Sequence, residues 1–176
     1  ESEPDVFSFH HELAREAIER GLLGREQRRL HQAALDALRA TGSKDHLALA
    51  RHARGAGRYD DMVDEARKGA RESLALGSTY QARHLAEIGL SECDDDIELL
   101  SLAARACYLT GLLDDAAIYG DRWLALARRR DDVSEEAAAL GVRMRISRES
   151  GVLAEMASFT MDLIDAVDRL PDDEQR

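Results

Sequence analysis

The residues of this chain that could bind a metal ion are six histidines and two cysteines, and their spacing argues against a metal site. The histidines are His10, His11, His31, His46, His52 and His84. His10 and His11 are adjacent, and adjacent side chains on a helix point about 100° apart, so they do not converge on one ion. The others share no metal-ligand spacing with one another or with Cys93 and Cys107. We therefore expect no metal site.

Paired carboxylates, which could serve general acid–base catalysis, have a simpler explanation in this sequence. They occur at Asp60/Asp61, Asp114/Asp115 and Glu135/Glu136, and each pair lies at a predicted helix start. Negative side chains are favourable there because of the helix dipole. The sequence contains no glycine-rich phosphate loop and no G-x-S-x-G nucleophile motif. We expect this stretch to carry no catalytic residue and no cofactor, and hence not to be an enzyme.

Charge and cysteine usage narrow the class of partner and the compartment. The formal net charge of -11 disfavours a nucleic-acid-binding surface. Two isolated thiols without a disulfide framework favour a reducing compartment. Apolar runs are shorter than the roughly 18 residues of a membrane span, and no signal-peptide pattern opens the sequence. We expect a cytoplasmic protein that does not bind membranes. The terminal residues, Glu1 and Arg176, suggest a piece of a longer protein.

The elements that must position any functional residue are amphipathic helices joined in hairpins. Apolar residues recur at three- and four-residue steps on both sides of a short turn at Gly111. The same design recurs 34 residues earlier, at Gly77, and 40 residues later, at Gly151. A period near 34 residues resembles that of tetratricopeptide (TPR) arrays. The sequence predicts an all-α fold, a right-handed superhelix of antiparallel helix hairpins.

The periodicity predicts eight helices over most of the chain. Their expected ranges are 25–40, 45–56, 60–76, 78–92, 96–110, 113–130, 133–150 and 152–169. Ser43 is a candidate N-cap, and Gly69, inside a helix, predicts the close approach of a neighbouring helix. Near the N-terminus, Val6, Phe7 and Phe9 alternate with polar residues, which predicts a short β-strand running into a helix that ends near Arg20.

A TPR-type array presents the first helix of each hairpin along its concave face. On the predicted register these helices are 60–76, 97–110 and 137–150, and the last carries Arg143, Arg145 and Arg148. These arginines could form the basic end of a groove for an acidic peptide or a small anion. A solvated helix face that binds nothing is the alternative.

Three motifs in the first half of the chain carry a resemblance to a known family. They are Phe7-x-Phe9-x-His11-Glu12-Leu13-x-Arg15-Glu16-Ala17, Arg28-Arg29-Leu30-His31, and Leu49-Ala50-Arg51-His52 shortly before Gly57. Together they resemble the large bacterial ATP-dependent LuxR-type transcriptional regulators, members of the STAND class of signalling ATPases. Related stretches occur in some adenylate cyclases and kinases that carry TPR arrays. The resemblance covers about residues 5–92.

The resemblance implies a domain organisation and one candidate site. Residues 1–40 would be the end of a winged-helix-like module, and residues 41–176 a TPR-like sensor array. His11 would occupy a nucleotide-sensing position of the parent protein, although the family pattern has Asp where this chain has Glu12. ATP or ADP would then bind the parent protein, with no cofactor in this stretch. The neighbouring ATPase domain would be an intramolecular partner, and DNA would be bound elsewhere.

The first functional hypothesis is a regulatory sensor module of such a regulator. It would bind an effector or a protein partner on its concave surface and relay that event to the ATPase and DNA-binding domains. The second is a free-standing TPR scaffold for protein–protein assembly. A third is the helical part of a cyclase or kinase. A homodimer is compatible with each of the three.

Overall fold

The computed structural model describes residues 23–171, and this part of the chain is all-α without a strand. Its eight helices are α1 (Gly24–Ala40), α2 (His46–Gly55), α3 (Tyr59–Ala75), α4 (Thr79–Leu90), α5 (Ile97–Leu109), α6 (Leu113–Arg129), α7 (Val133–Glu149) and α8 (Leu153–Asp168). The predicted all-α class is confirmed for these residues, and every helix end lies within two residues of its predicted position. The predicted strand at Val6–Phe9 and the helix ending near Arg20 lie outside the described residues.

The helices follow one another as neighbours in space. Each helix packs against the next one in the chain, and in addition α3 contacts α5 and α5 contacts α7. The first helices of successive hairpins therefore lie side by side, as in helical repeat proteins. Leucine and alanine side chains from α1 to α8 form one continuous buried core. Alanine is small enough to let helix axes approach closely, which is why few aromatic residues are needed.

The predicted close approach at Gly69 is confirmed. A methyl group at this position of α3 would lie 2.5 Å from His46 Cβ on α2 and 2.9 Å from Leu85 Cδ1 on α4. Both distances are far below van der Waals contact, so only glycine fits. Gly69 thus lets α2 and α4 pack against α3 at the same level.

Most of the turns between helices share one backbone design, and the turn between α4 and α5 is the exception. At Gly111, which has φ 77°, the Gly111 N–H donates to Tyr108 O and the Leu112 N–H donates to Cys107 O at 2.9 Å. This pair of bonds is the Schellman motif, whose left-handed residue is usually glycine. The motif between α6 and α7 instead has Asp131 at φ 54°, with the Asp132 N–H donating to Ala127 O at 3.0 Å. Asp131 therefore carries a strain that glycine would not.

Replacing Asp131 by glycine should stabilise the protein. A left-handed conformation costs an L-residue about 1–2 kcal/mol, and glycine avoids this cost. Glycine is also more flexible in the unfolded chain, which offsets part of the gain in stability. We expect Asp131→Gly to raise the free energy of unfolding by about 0.5–1 kcal/mol in urea titrations. Asp131→Ala removes the same charge while keeping a Cβ atom, and alanine lacks the preference of asparagine for the left-handed region, so it serves as the control. Equal stabilisation by both variants would attribute the gain to charge and contradict the role of φ.

The acidic pairs at helix starts join neighbouring helices as well as favouring the helix dipole. Asp61 lies 3.2 Å from Arg39 Nη2 of α1. Glu135 accepts a hydrogen bond from Trp123 Nε1 of α6 at 2.7 Å. Glu136 accepts from Arg128 Nε of α6 at 2.8 Å and from Arg169 Nη2, just beyond α8, at 2.5 Å. Sequence reasoning explained the pairs by the dipole alone and missed these contacts.

The prediction of Ser43 as an N-cap is wrong. The N-cap of α2 is Asp45, whose Oδ1 accepts from the Ala48 N–H at 3.0 Å. Ser43 Oγ instead accepts from the Asp45 N–H at 3.2 Å, which holds the turn before the helix. Because α2 begins at His46, Asp45 directly precedes its first turn, whereas Ser43 lies two residues further away.

Glu136 should make stability depend on pH in the acidic range. Burial raises the pKa of Glu136, but the hydrogen bonds from Arg128 and Arg169 outweigh burial and leave the pKa lowered. A carboxyl group with a lowered pKa stabilises the fold above its unfolded pKa near 4.5, and this contribution is lost as the pH falls through the folded pKa. We expect Glu136→Gln to cost about 1–3 kcal/mol at pH 7, because hydrogen bonds to charged groups are lost.

Urea unfolding of both proteins across pH checks this prediction. The stability gap between wild type and Glu136→Gln should narrow as the pH falls below the ordinary glutamate range. Glu149→Gln is the control, because Glu149 is an exposed residue that pairs with the adjacent Arg148 at 3.0 Å. A gap that stays constant with pH would contradict the assignment of the charge on Glu136.

Candidate functional site

Arg143, the first of the three arginines predicted to line a groove, is a buried residue that joins three helices. It is 6 % exposed. Its Nε donates to Asp121 Oδ1 of α6 at 2.6 Å, and its guanidinium carbon lies 4.8 Å from the centre of the Phe159 ring of α8. The side chain runs across Gly120, where a methyl group would lie 2.7 Å from Arg143 Cδ. Arg143 on α7 therefore contacts both α6 and α8 and stabilises their packing.

The other two predicted groove residues, Arg145 and Arg148, are exposed on α7. Arg148 Nη2 donates to Glu149 at 3.0 Å and lies beside the Tyr108 hydroxyl of α5. The three arginines are thus split between the interior and the surface. His11, the predicted nucleotide-sensing residue, lies outside the described residues.

A cleft between α2 and α4 has the mixed lining of a binding site. Its volume is about 500 Å³, within the range of small-molecule sites. It is lined by Asp45, Leu47, Ala48, Ala50, Arg51, Arg54, His84 and Ile88. We call this the α2–α4 cleft.

The pattern of each helix explains why these side chains face the cleft. On α2, Leu49, Ala50 and Ala53 are buried, which leaves Arg51 and Arg54 exposed. On α4, Ala82, Leu85 and Ala86 are buried, and His84 is exposed. Since α2 and α4 both pack against α3, their outward faces form the two walls of the cleft.

The two arginines of the cleft are poorly neutralised. Most arginines of the array lie against a carboxylate, as Arg67 does at 2.6 Å from Asp96. Arg54 Nε, in contrast, is 4.0 Å from Glu92. Within residues 23–171 the Arg51 guanidinium has no ion pair, and its Nη2 donates to His52 Nε2 at 3.3 Å. Asp45 also lines the cleft and keeps its negative charge while its Oδ1 caps α2, so the lining has two arginines against one aspartate. The cleft is therefore a positive site.

The positive charge belongs to a wider region. Residues 23–58 contain eight arginines and lysines and three aspartates and glutamates, although the whole chain is strongly acidic. Sequence reasoning missed Arg51, Arg54 and His84 as site residues. The local excess of basic residues was a readable signal, but the pairing of α2 with α4 across α3 is needed to see that these side chains share a cleft.

A chain of imidazole contacts connects the cleft to α1. His52 Nδ1 lies 3.0 Å from Nδ1 of His31 on α1. Because Arg51 can only donate, His52 Nε2 must accept. With its proton on Nδ1, His52 donates a hydrogen bond to His31 Nδ1. Gly55 leaves room for this contact, since a methyl group there would lie 2.4 Å from the His31 ring.

Comparison of the chain with protein-family models, with curated proteins and with solved structures found no match in any of the three.

Within residues 23–171, no cluster of three or more His, Cys, Asp or Glu side chains has the arrangement of a metal site. None of the helices in the same range has the length and apolarity that crossing a bilayer requires.

The thiol of Cys107 should be unreactive in the folded protein. Cys107 is fully buried in α5, and this burial raises its pKa to about 11, against the smaller opposing effect of Arg83. The thiolate is the reactive form, so it is almost absent at neutral pH. We expect the Cys93→Ser variant to give no reaction with Ellman's reagent at pH 8 when native and one equivalent in denaturant. Prompt labelling of the native variant would show that α5 opens readily.

Proposed function

We propose that this chain is a regulatory sensor module that binds an effector or a protein partner through its helical array. The observation that carries the proposal is the α2–α4 cleft, a positive and partly apolar site in an acidic chain. In the parent protein, a signal-responsive ATP-dependent regulator of the LuxR type, the module would relay binding to ATPase and DNA-binding domains. The proposal assigns no catalytic step to this stretch, and ATP or ADP would bind the parent's ATPase domain.

The contact between α1 and α2 supports the relay. On the proposed division, α1 ends the winged-helix-like module at residue 40, and α2 begins the sensor array. The His31–His52 contact crosses this boundary at 3.0 Å, and Arg51 joins it from the cleft. A ligand that moves Arg51 would therefore change a contact between the two modules, which is the kind of differential interaction that allosteric coupling requires.

A free-standing scaffold for protein assembly remains a second candidate, and one observation favours it. On α8, Leu153, Met161 and Ile164 share a face and are 66 %, 62 % and 49 % exposed. The preceding hairpins bury comparable residues, such as Leu124, which is 6 % exposed on α6. An apolar face of this kind is typical of a protein contact.

Two measurements distinguish the candidates. Reading the genomic open reading frame on both sides would reveal a phosphate-loop ATPase upstream and a helix-turn-helix domain downstream, if the regulator proposal is correct. A reading frame without an ATPase would overturn it.

A thermal-shift screen of the 176-residue chain with metabolites and acidic peptides tests the sensor role directly. A ligand at about 100 times its Kd adds roughly 2.7 kcal/mol to the free energy of unfolding. That gain raises the Tm of a domain of this size by several degrees. Silence across the screen, together with stable capture of a defined protein partner, would favour the scaffold.

A further inference from the structure

We propose that the α2–α4 cleft binds an amphiphilic monocarboxylate, a small molecule with one carboxylate on a short apolar chain or ring. The inference deepens the proposed function, because it names the chemical class of the effector. It rests on the charge, the apolar lining and the contacts of the cleft, so binding itself can be tested without the parent protein.

The headgroup site is formed by Arg51 and Arg54. They are three residues apart on α2, a spacing that places two side chains on one face of a helix. Guanidinium groups bind carboxylates through two parallel hydrogen bonds, which is stronger and more specific than a point charge. His84 lies on the opposite wall, on α4, and offers a further nitrogen to an anion.

The lining also limits how much negative charge the ligand can carry. Asp45 contributes a carboxylate to the same cleft. Its Oδ1 caps α2, so the side chain is held in place. A second anionic group on the ligand would lie in a small cleft with this like charge, which is unfavourable. A monoanion therefore fits better than a dicarboxylate or a polyphosphate.

The apolar part of the ligand has its own surface. Leu47 and Ala48 on α2 and Ile88 on α4 are partly exposed and line the cleft beside the charged groups. Each methylene group buried against this surface should tighten binding by roughly fourfold. A simple inorganic anion makes no use of this surface, so it should bind more weakly than an amphiphile of the same charge.

Binding of a carboxylate in the cleft should change the surroundings of His31 on α1. Arg51 donates to His52 Nε2 at 3.3 Å, and a ligand carboxylate would compete for the same guanidinium. When Arg51 turns to the ligand, the constraint on the His52 ring changes, and His52 contacts His31 of α1 through Nδ1. The ring resonances of His52 and His31 should therefore shift as the cleft fills.

Titration of the 176-residue chain with sodium octanoate tests the proposal, by calorimetry and by NMR of the histidine rings. We expect saturable binding that weakens with salt, with shifts at His84, His52 and His31. The Arg51→Gln/Arg54→Gln variant should bind about tenfold more weakly or worse, because charge-assisted hydrogen bonds are lost. Octylamine and inorganic phosphate, which lack the carboxylate or the chain, should bind much more weakly than octanoate.

The matched control is Arg105→Gln/Arg145→Gln, which removes the same charge from exposed residues of α5 and α7. This control should bind octanoate as wild type does. If the Arg51/Arg54 variant fails to fold, Ala48→Phe, which fills the apolar part of the cleft, should abolish binding instead. Equal loss in the control, unchanged binding in a folded cleft variant, or tighter binding of a glutamate-rich peptide than of octanoate would overturn the proposal.

These results separate the inference from the proposed function. Failure of octanoate to bind would remove the monocarboxylate assignment, whereas the regulator proposal is decided by the domains that flank this stretch. Octanoate binding in a protein whose reading frame lacks an ATPase would uphold the site and overturn the regulator.

Discussion

The close approach of α2 and α4 to α3 is the constraint on which the described structure most depends. It requires a residue without a side chain at position 69, because methyl groups there would overlap with both neighbouring helices. A larger residue would separate α2 from α3, and the walls of the cleft would no longer face each other. The fold and the candidate site therefore depend on the same packing contact.

Arginine side chains have different roles in different parts of the described structure. On α6 and α7, arginines such as Arg128 and Arg143 join helices, and their charges are neutralised by nearby carboxylates. In the basic region of residues 23–58, Arg39 also joins helices through Asp61, but the acids are too few to neutralise Arg51 as well. The guanidinium of Arg51, which has no ion pair within residues 23–171, is what marks the cleft as the candidate binding surface.

Much of the fold could be predicted from the sequence because its determinants are local. The 3.6-residue periodicity located every helix from α1 to α8, and the turn glycines located the hairpins. The position of Arg143 could not be read in this way, because its burial depends on Asp121 and Phe159, which belong to two other helices. The choice of Asp45 over Ser43 as the cap depends on where α2 begins, at His46, since both residues are good cap formers.

The site was harder to predict than the fold for a related reason. The spacing of Arg51 and Arg54 places them on one side of α2, but nothing in the sequence shows that α4 supplies the opposite wall. That pairing follows from α2 and α4 both packing on α3. The sequence alone therefore reveals charged helix faces, whereas the cleft forms only where two helix faces meet in the folded structure.

The contacts of Glu136 have a mechanical consequence. Glu136 stands near the start of α7, and its partner Arg169 follows the last residue of α8. Tension applied to the C-terminal end of the chain would load this ion pair before it could peel α8 away from α7. The pair therefore adds to the force needed to detach α8 from α7.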